Sequence, residues 1–93
     1  MPESLGFIEL PCLANAIKAL DTMLKAAAVS FVTWEKKLGG RLVTIIVSGS
    51  VASVTAAVEA ARQTADIKSS LVLPAPHPET LKMVQISASK LQQ

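Results

Sequence analysis

The stretch Trp34–Ser50, WEKKLGGRLVTIIVSGS, sets the architecture of this chain. A charged opening, Trp34–Lys37, meets the pair Gly39-Gly40, and an almost unbroken apolar run, Leu42–Val47, then stops at Ser48-Gly49-Ser50. Adjacent glycines between two extended segments mark a turn, because glycine alone adopts positive φ without steric cost. The reading is two antiparallel strands joined by the loop Lys36–Arg41 and feeding a helix. Leu42–Val47 is apolar on both faces, as a strand covered on both sides must be. Function concentrates on loops more than on core strands, so Lys36–Arg41 is where function is expected.

Towards the N-terminus, Val29–Glu35 alternates: Val29, Phe31 and Thr33 on one side, Ser30, Val32 and Trp34 on the other. That period of two predicts a strand with one face more buried. Before it, Leu13–Val29 places Leu13, Ala16, Ile17, Leu20, Met23, Leu24 and Ala27 at helical spacing, one apolar stripe. Leu5–Leu10 is a short strand ended by Pro11, with Gly6, Ile8 and Leu10 sharing a face. The small residue at Gly6 allows close approach of a helix or backbone there.

Towards the C-terminus, Ser50 is placed to cap a helix over Val51–Asp66. Its stripe is Val51, Val54, Val58, Ala61 and Thr64 or Ala65, and its many alanines suit close contacts. Leu71-Val72-Leu73 is a last strand, ended by Pro74, Pro76 and Pro78. Pro78 opens a short terminal helix, proline being favoured at the first helical position. Ser87–Gln93 is polar and expected to fray. The order β-α-β-β-α-β is ferredoxin-like, an α+β fold: a four-stranded antiparallel sheet with two main helices on one face and a short C-terminal helix. The whole chain, 1–93, reads as one domain.

A chain of 93 residues buries a modest share of its surface, yet 51% of its residues are hydrophobic and only 17% are charged. Mean hydropathy is +0.45. No apolar run approaches the roughly 20 residues of a membrane span. Met1-Pro2-Glu3-Ser4 places no basic segment before an apolar stretch, so no signal peptide is expected. The apolar excess therefore points to burial against other chains. A net charge of +2 with Phe7, Phe31 and Trp34 as the only aromatics is not a nucleic-acid surface.

Chemistry is sparse. There is no phosphate-binding glycine loop and no nucleophile elbow. One cysteine, Cys12, and one histidine, His77, allow neither an internal disulfide nor a His/Cys metal cage, and a reducing cytoplasm fits. Cys12 reads as a small apolar filler near a helix start. His77 reads as a hydrogen-bonded structural residue between prolines. The carboxylates are dispersed, so no catalytic residue, metal or cofactor is assigned, and an enzyme is not expected. Two classes remain open on these grounds: a self-assembling structural protein, and a metabolite-binding regulatory ferredoxin-like oligomer. Assembly into tiling rings would favour the first; a dimer or trimer with a saturable ligand would favour the second.

Five stretches, in order, resemble one family. They are Ser4–Glu9; Ala19–Ala27; Trp34-Glu35-Lys36; Leu42–Val47; and Leu73-Pro74-Ala75-Pro76-His77. Together they resemble the bacterial microcompartment shell proteins of the single-domain, hexamer-forming type. The resemblance implies flat homo-hexamers that tile, with other shell proteins, into a polyhedral shell around encapsulated enzymes in the bacterial cytoplasm. No nucleic acid and no membrane are implied as partners. It also implies a pore on the six-fold axis, mapping here onto Leu38, Gly39 and Gly40 and flanked by Lys37 and Arg41. Six copies of Lys36 or Lys37 and of Arg41 would make a cationic rim for small polar or anionic metabolites; as bare residues they read equally well as a solvated charged turn. Lys25, on its own a solvated helix residue, matches the family's hexamer-edge lysine, and Ala75 and His77 fall in its edge segment. This chain departs from the family pattern in three places. Ala75 stands where an arginine is usual, Ser48-Gly49-Ser50 replaces Arg-Gly-Asp, and the pore loop is one residue longer.

Overall fold

The computed structural model describes residues 3–91. In chain order these form β1 (Ser4–Leu10), α1 (Leu13–Ala26), β2 (Ser30–Lys37), a 3-10 turn at Leu38–Gly40, β3 (Leu42–Gly49), α2 (Val51–Thr64), β4 (Ser69–Leu73) and α3 (Pro78–Leu91). The strands make one antiparallel sheet in the order β2-β3-β1-β4. This is the expected ferredoxin-like topology, with the apolar strand β3 in an interior position.

One sheet face carries Ile8, Leu10, Val43, Ile45 and Val47, all essentially buried under α1 and α2. The helices meet the sheet and each other through small side chains: Ala16 and Ala19 on α1, Ala57 and Ala61 on α2, all fully buried. Gly6 shows how tight this layer is. A β-carbon there would come within 2.7 Å of Val54 Cγ1 and 3.1 Å of Val58 Cγ2. Glycine is therefore required by space at this position, as the sequence suggested.

Val54, Val58 and Ala61 of the predicted α2 stripe are buried, and Ser50 caps the helix by accepting from the Ser53 N–H at 3.1 Å. The predicted α1 stripe is too wide. Ala16 and Met23 are buried, but Ile17 and Leu24 are exposed, as is Val51 at the start of α2. Apolar periodicity placed these residues in one stripe with the buried positions because it cannot separate a core face from an apolar face turned outward.

The opposite sheet face holds Leu5 and Ile46, with Phe7, Val32 and Leu73 around them, and α3 covers it through Val84 and Leu81. Here the structure corrects the sequence reading. The terminal helix is not short: it runs 14 residues, as long as α1 or α2. Residues 87–91, expected to fray, continue it to Leu91, while 92 and 93 lie outside the described residues. The Ser87 hydroxyl explains the difference, since it donates to the Glu35 carboxylate and pairs with Thr33 Oγ1 on β2. A polar composition suggested a tail, but its serine anchors the helix.

β2 also departs from simple alternation. Phe31 pairs with Val47 and Thr33 with Ile46, so Val32 is an extra residue in the ladder. The bulge puts Val32 and Thr33 both towards α3 and returns Phe31 and Trp34 to a shared side. Their rings meet edge to face with centroids 6.1 Å apart.

Candidate pore loop and assembly edge

The registers place both ends of the sheet. Lys37 pairs with Leu42, Leu10 with Val43 and Glu9 with Ser69, so the β2–β3 connection, the end of β1 and the start of β4 share one end. Leu5 pairs with Leu73 and with Ser48, and Ser30 pairs with Ser48. The end of α1 and the proline segment after β4 therefore belong to the opposite end.

The loop is shorter than its sequence boundaries. Lys36 and Lys37 belong to β2, leaving Leu38–Arg41 as the connection. As successive strand residues, the two lysines leave opposite faces of the sheet. Lys36 lies 5.8 Å from the centroid of the Trp34 ring, and Lys37 lines a groove with Glu35 and Lys90.

Three consecutive residues in the connection have positive φ: Leu38 at 55°, Gly39 at 67° and Gly40 at 86°. β-Carbons at Gly39 and Gly40 would meet nothing within 4 Å, so backbone conformation and not crowding within the chain calls for glycine. Leu38 has no such excuse. A left-handed conformation costs a non-glycine residue about 1 kcal/mol, and this leucine is 66% exposed. Arg41 holds it there: its backbone N–H and its Nε both donate to the Leu38 carbonyl, at 3.3 Å and 2.9 Å.

Arg41 is in turn bound from below, its carbonyl accepting from the Cys12 N–H at 3.2 Å. Cys12 is exposed and has φ 62°, so it is not the apolar filler the sequence suggested. It is a second strained residue, at the corner between Pro11 and α1. The pattern Pro-Cys-Leu before a helical stripe marked the helix start but not the positive φ. A cleft of about 360 Å³ beside the loop is lined by Leu13 and residues 36–40.

This end of the molecule is basic. Lys36, Lys37, Arg41, Arg62, Lys68 and Lys90 lie on elements that finish or begin there, against Glu9, Glu35 and Asp66. Asp66 sits 3.8 Å from Lys68, an exposed pair of little energetic weight.

At the opposite end, Lys25 on the last turn of α1 is exposed and paired with Asp21 at 2.8 Å, one helical turn earlier. The hydrogen bond that Lys25 donates to Asp21, and then the negative charge of that carboxylate, hold the Lys25 ammonium above its ordinary pKa, so it is charged at neutral pH. Ala75 is exposed in the proline segment, beside the buried Pro76. That segment is tied back to β1 by Ser4 Oγ, which donates to the Pro74 carbonyl at 2.8 Å. His77 is also exposed, and its Nδ1 accepts the Glu79 N–H at 3.0 Å. Its carbonyl accepts from Leu81 N, so His77 is the N-cap of α3, with Pro78 in the first helical position. The structure thus gathers Lys37–Arg41 at one end and Lys25, Ala75 and His77 at the other. Among the described residues no group of three or more His, Cys, Asp or Glu side chains could hold a metal ion, and no helix is long and apolar enough to cross a membrane.

Comparison with known proteins gives a consistent result. The BMC domain family matches residues 4–76. The bacterial microcompartment shell protein PduA of Citrobacter freundii is 42% identical over 86 residues, covering 88% of this chain and 91% of that protein. The carboxysome shell protein CcmK2 of Thermosynechococcus vestitus is 39% identical over 90 residues, covering 90% of this chain and 86% of that protein. A crystal structure of a microcompartments protein from Desulfitobacterium hafniense DCB aligns with a TM-score of 0.80 at 30% identity. That alignment covers 94% of this chain and 49% of the other, so this chain spans about half of that protein.

Proposed function

Because the chain belongs to the BMC domain family of bacterial microcompartment shell proteins, we propose that it forms cyclic homo-hexamers that tile, with other shell proteins, into the wall of a microcompartment in the bacterial cytoplasm. The wall encloses enzymes. The loop Leu38–Arg41, with Lys37 at its base, lines a central pore for small polar or anionic metabolites.

The observation that carries this reading is the shape of the loop. Leu38-Gly39-Gly40 projects from the end of a rigid two-strand ladder in left-handed conformation, with open space around both glycines. Copies meeting at an axis need such a segment: short, with two glycines where the backbones converge, and fixed by the strands behind it. The apolar surface left on the single chain supports assembly as well. Ile17 and Leu24 on α1, Val51 on α2 and Leu71 on β4 are all exposed, apolar side chains that contact with neighbouring copies would cover. The basic excess at the loop end would be multiplied by symmetry and would favour anions at the mouth of the pore.

Lys25, Ala75 and His77 form the outer edge in this arrangement, at the opposite end of the sheet from the pore. Electron microscopy of the purified protein tests the reading. Flat layers with hexagonal order are expected; a protein that gives only small, discrete, non-tiling particles at every concentration contradicts it.

A further inference from the structure

We propose that Leu38 is the selectivity residue of the opening, an apolar constriction set inside the basic mouth, and that Arg41 is the positioning residue that holds it there. The inference rests on the pore reading above and narrows its solutes to small uncharged polar molecules.

A leucine is the wrong residue for a solvated turn. Left-handed positions in turns favour Gly, Asn and Asp. Here the position is filled by a branched apolar side chain, 66% exposed and outside both apolar clusters of the fold. Most of its surface faces away from the chain, yet its carbonyl is held by two hydrogen bonds from Arg41. The guanidinium therefore turns back onto its own loop through Nε. Its first role is to fix the Leu38 backbone, and Arg41 is itself tied to the start of α1 through Cys12.

Around an axis, six such leucines make an apolar ring. An ion crossing it must shed water that the ring cannot replace, whereas a small neutral alcohol or aldehyde gives up only a few hydrogen bonds. The basic groups then decide which ions gather at the mouth, and the leucines decide that ions pass slowly.

The test measures chloride conductance of purified hexamers in planar bilayers, beside glycerol permeation into vesicles carrying them, with native mass recorded for each protein. Leu38→Ser is expected to raise chloride conductance at least about fivefold while glycerol permeation changes by less than about twofold. Arg41→Lys keeps the charge but removes the Nε–H, so it is expected to follow Leu38→Ser. Leu38→Ser hexamers with wild-type conductance overturn the constriction, and wild-type behaviour of Arg41→Lys overturns the positioning role. If the wild-type protein forms no hexamer, the pore reading itself fails and this inference falls with it; the mass measurement separates that failure from the others.

Discussion

The hydroxyls of Thr33 and Ser87 lie 3.3 Å apart and join a fully buried position of β2 to the last third of α3. Thr33 has one other contact of this kind, to the Trp34 carbonyl at 3.4 Å. A buried hydroxyl that loses its partner costs about 1–3 kcal/mol. Ser87→Ala is therefore expected to lower the stability of the fold by about 1 kcal/mol, read as a lower urea midpoint with unchanged slope. Truncation before Ser87 is expected to cost more, because it loosens α3 over Leu5 and Ile46 and exposes that apolar face. A truncated chain as stable as the full one would show that the C-terminal turns contribute nothing.

Gly6 gives the sharpest packing test. A methyl group placed there overlaps Val54 Cγ1 and presses on Val58 and Val47. Gly6→Ala is expected to destabilise the fold by about 1–3 kcal/mol, the usual range for overpacking. The double variant Gly6→Ala, Val54→Ala should recover part of that loss. Thermal melts of the two variants check this, and independent, additive effects would mean that α2 does not press on β1.

In the proposed assembly, Ala75 bears on how firmly hexamers join. Its methyl group offers no hydrogen bond at a segment where an exposed, charged Lys25 lies at the same end of the sheet. Layers of this protein are expected to be weaker than those of relatives with an arginine at that place. Ala75→Arg is expected to give larger layers at the same protein concentration. Light scattering against concentration reads the threshold; an unchanged threshold for Ala75→Arg would remove this position from the edge.

Lys37 tests the charge at the mouth of the proposed pore. It is exposed at the last position of β2, next to the loop. Lys37→Ala is expected to reduce the preference for anions over cations in conductance measurements, most visibly at low salt, where screening is weak. Lys36→Ala is expected to do less, since Lys36 lies over the Trp34 ring on the other face of the strand. Equal anion and cation passage in the unmodified protein, with no change in Lys37→Ala, would show that these charges face away from the pore.

Much of the fold was legible in the sequence because its strongest signals are local. Gly39-Gly40 could only be a turn, Leu42–Val47 could only be a covered strand, and Gly6 marked a place where a helix or backbone could come close, which α2 does. Residues whose placement depends on partners distant in sequence were not legible. Val32 alternates perfectly on paper, and only the pairing with β3 reveals the bulge that turns Thr33 towards α3. Ser87 looks like tail until Glu35 and Thr33 are brought beside it. Ile17 and Leu24 carry the same helical period as Met23, so no pattern within one chain could tell an outward apolar face from a core face. In the loop, the sequence marked the glycines and the flanking charges. That Leu38 shares their left-handed conformation, and that Arg41 folds back to hold it, follows from backbone geometry that no residue type announces.

The central claim is that copies of this chain close around the loop Leu38–Arg41. Native mass spectrometry of the purified protein at neutral pH and low ionic strength tests it most directly. A dominant species at six times the 9.8 kDa of one chain is expected; a dominant monomer, dimer or trimer across the concentration range would contradict it.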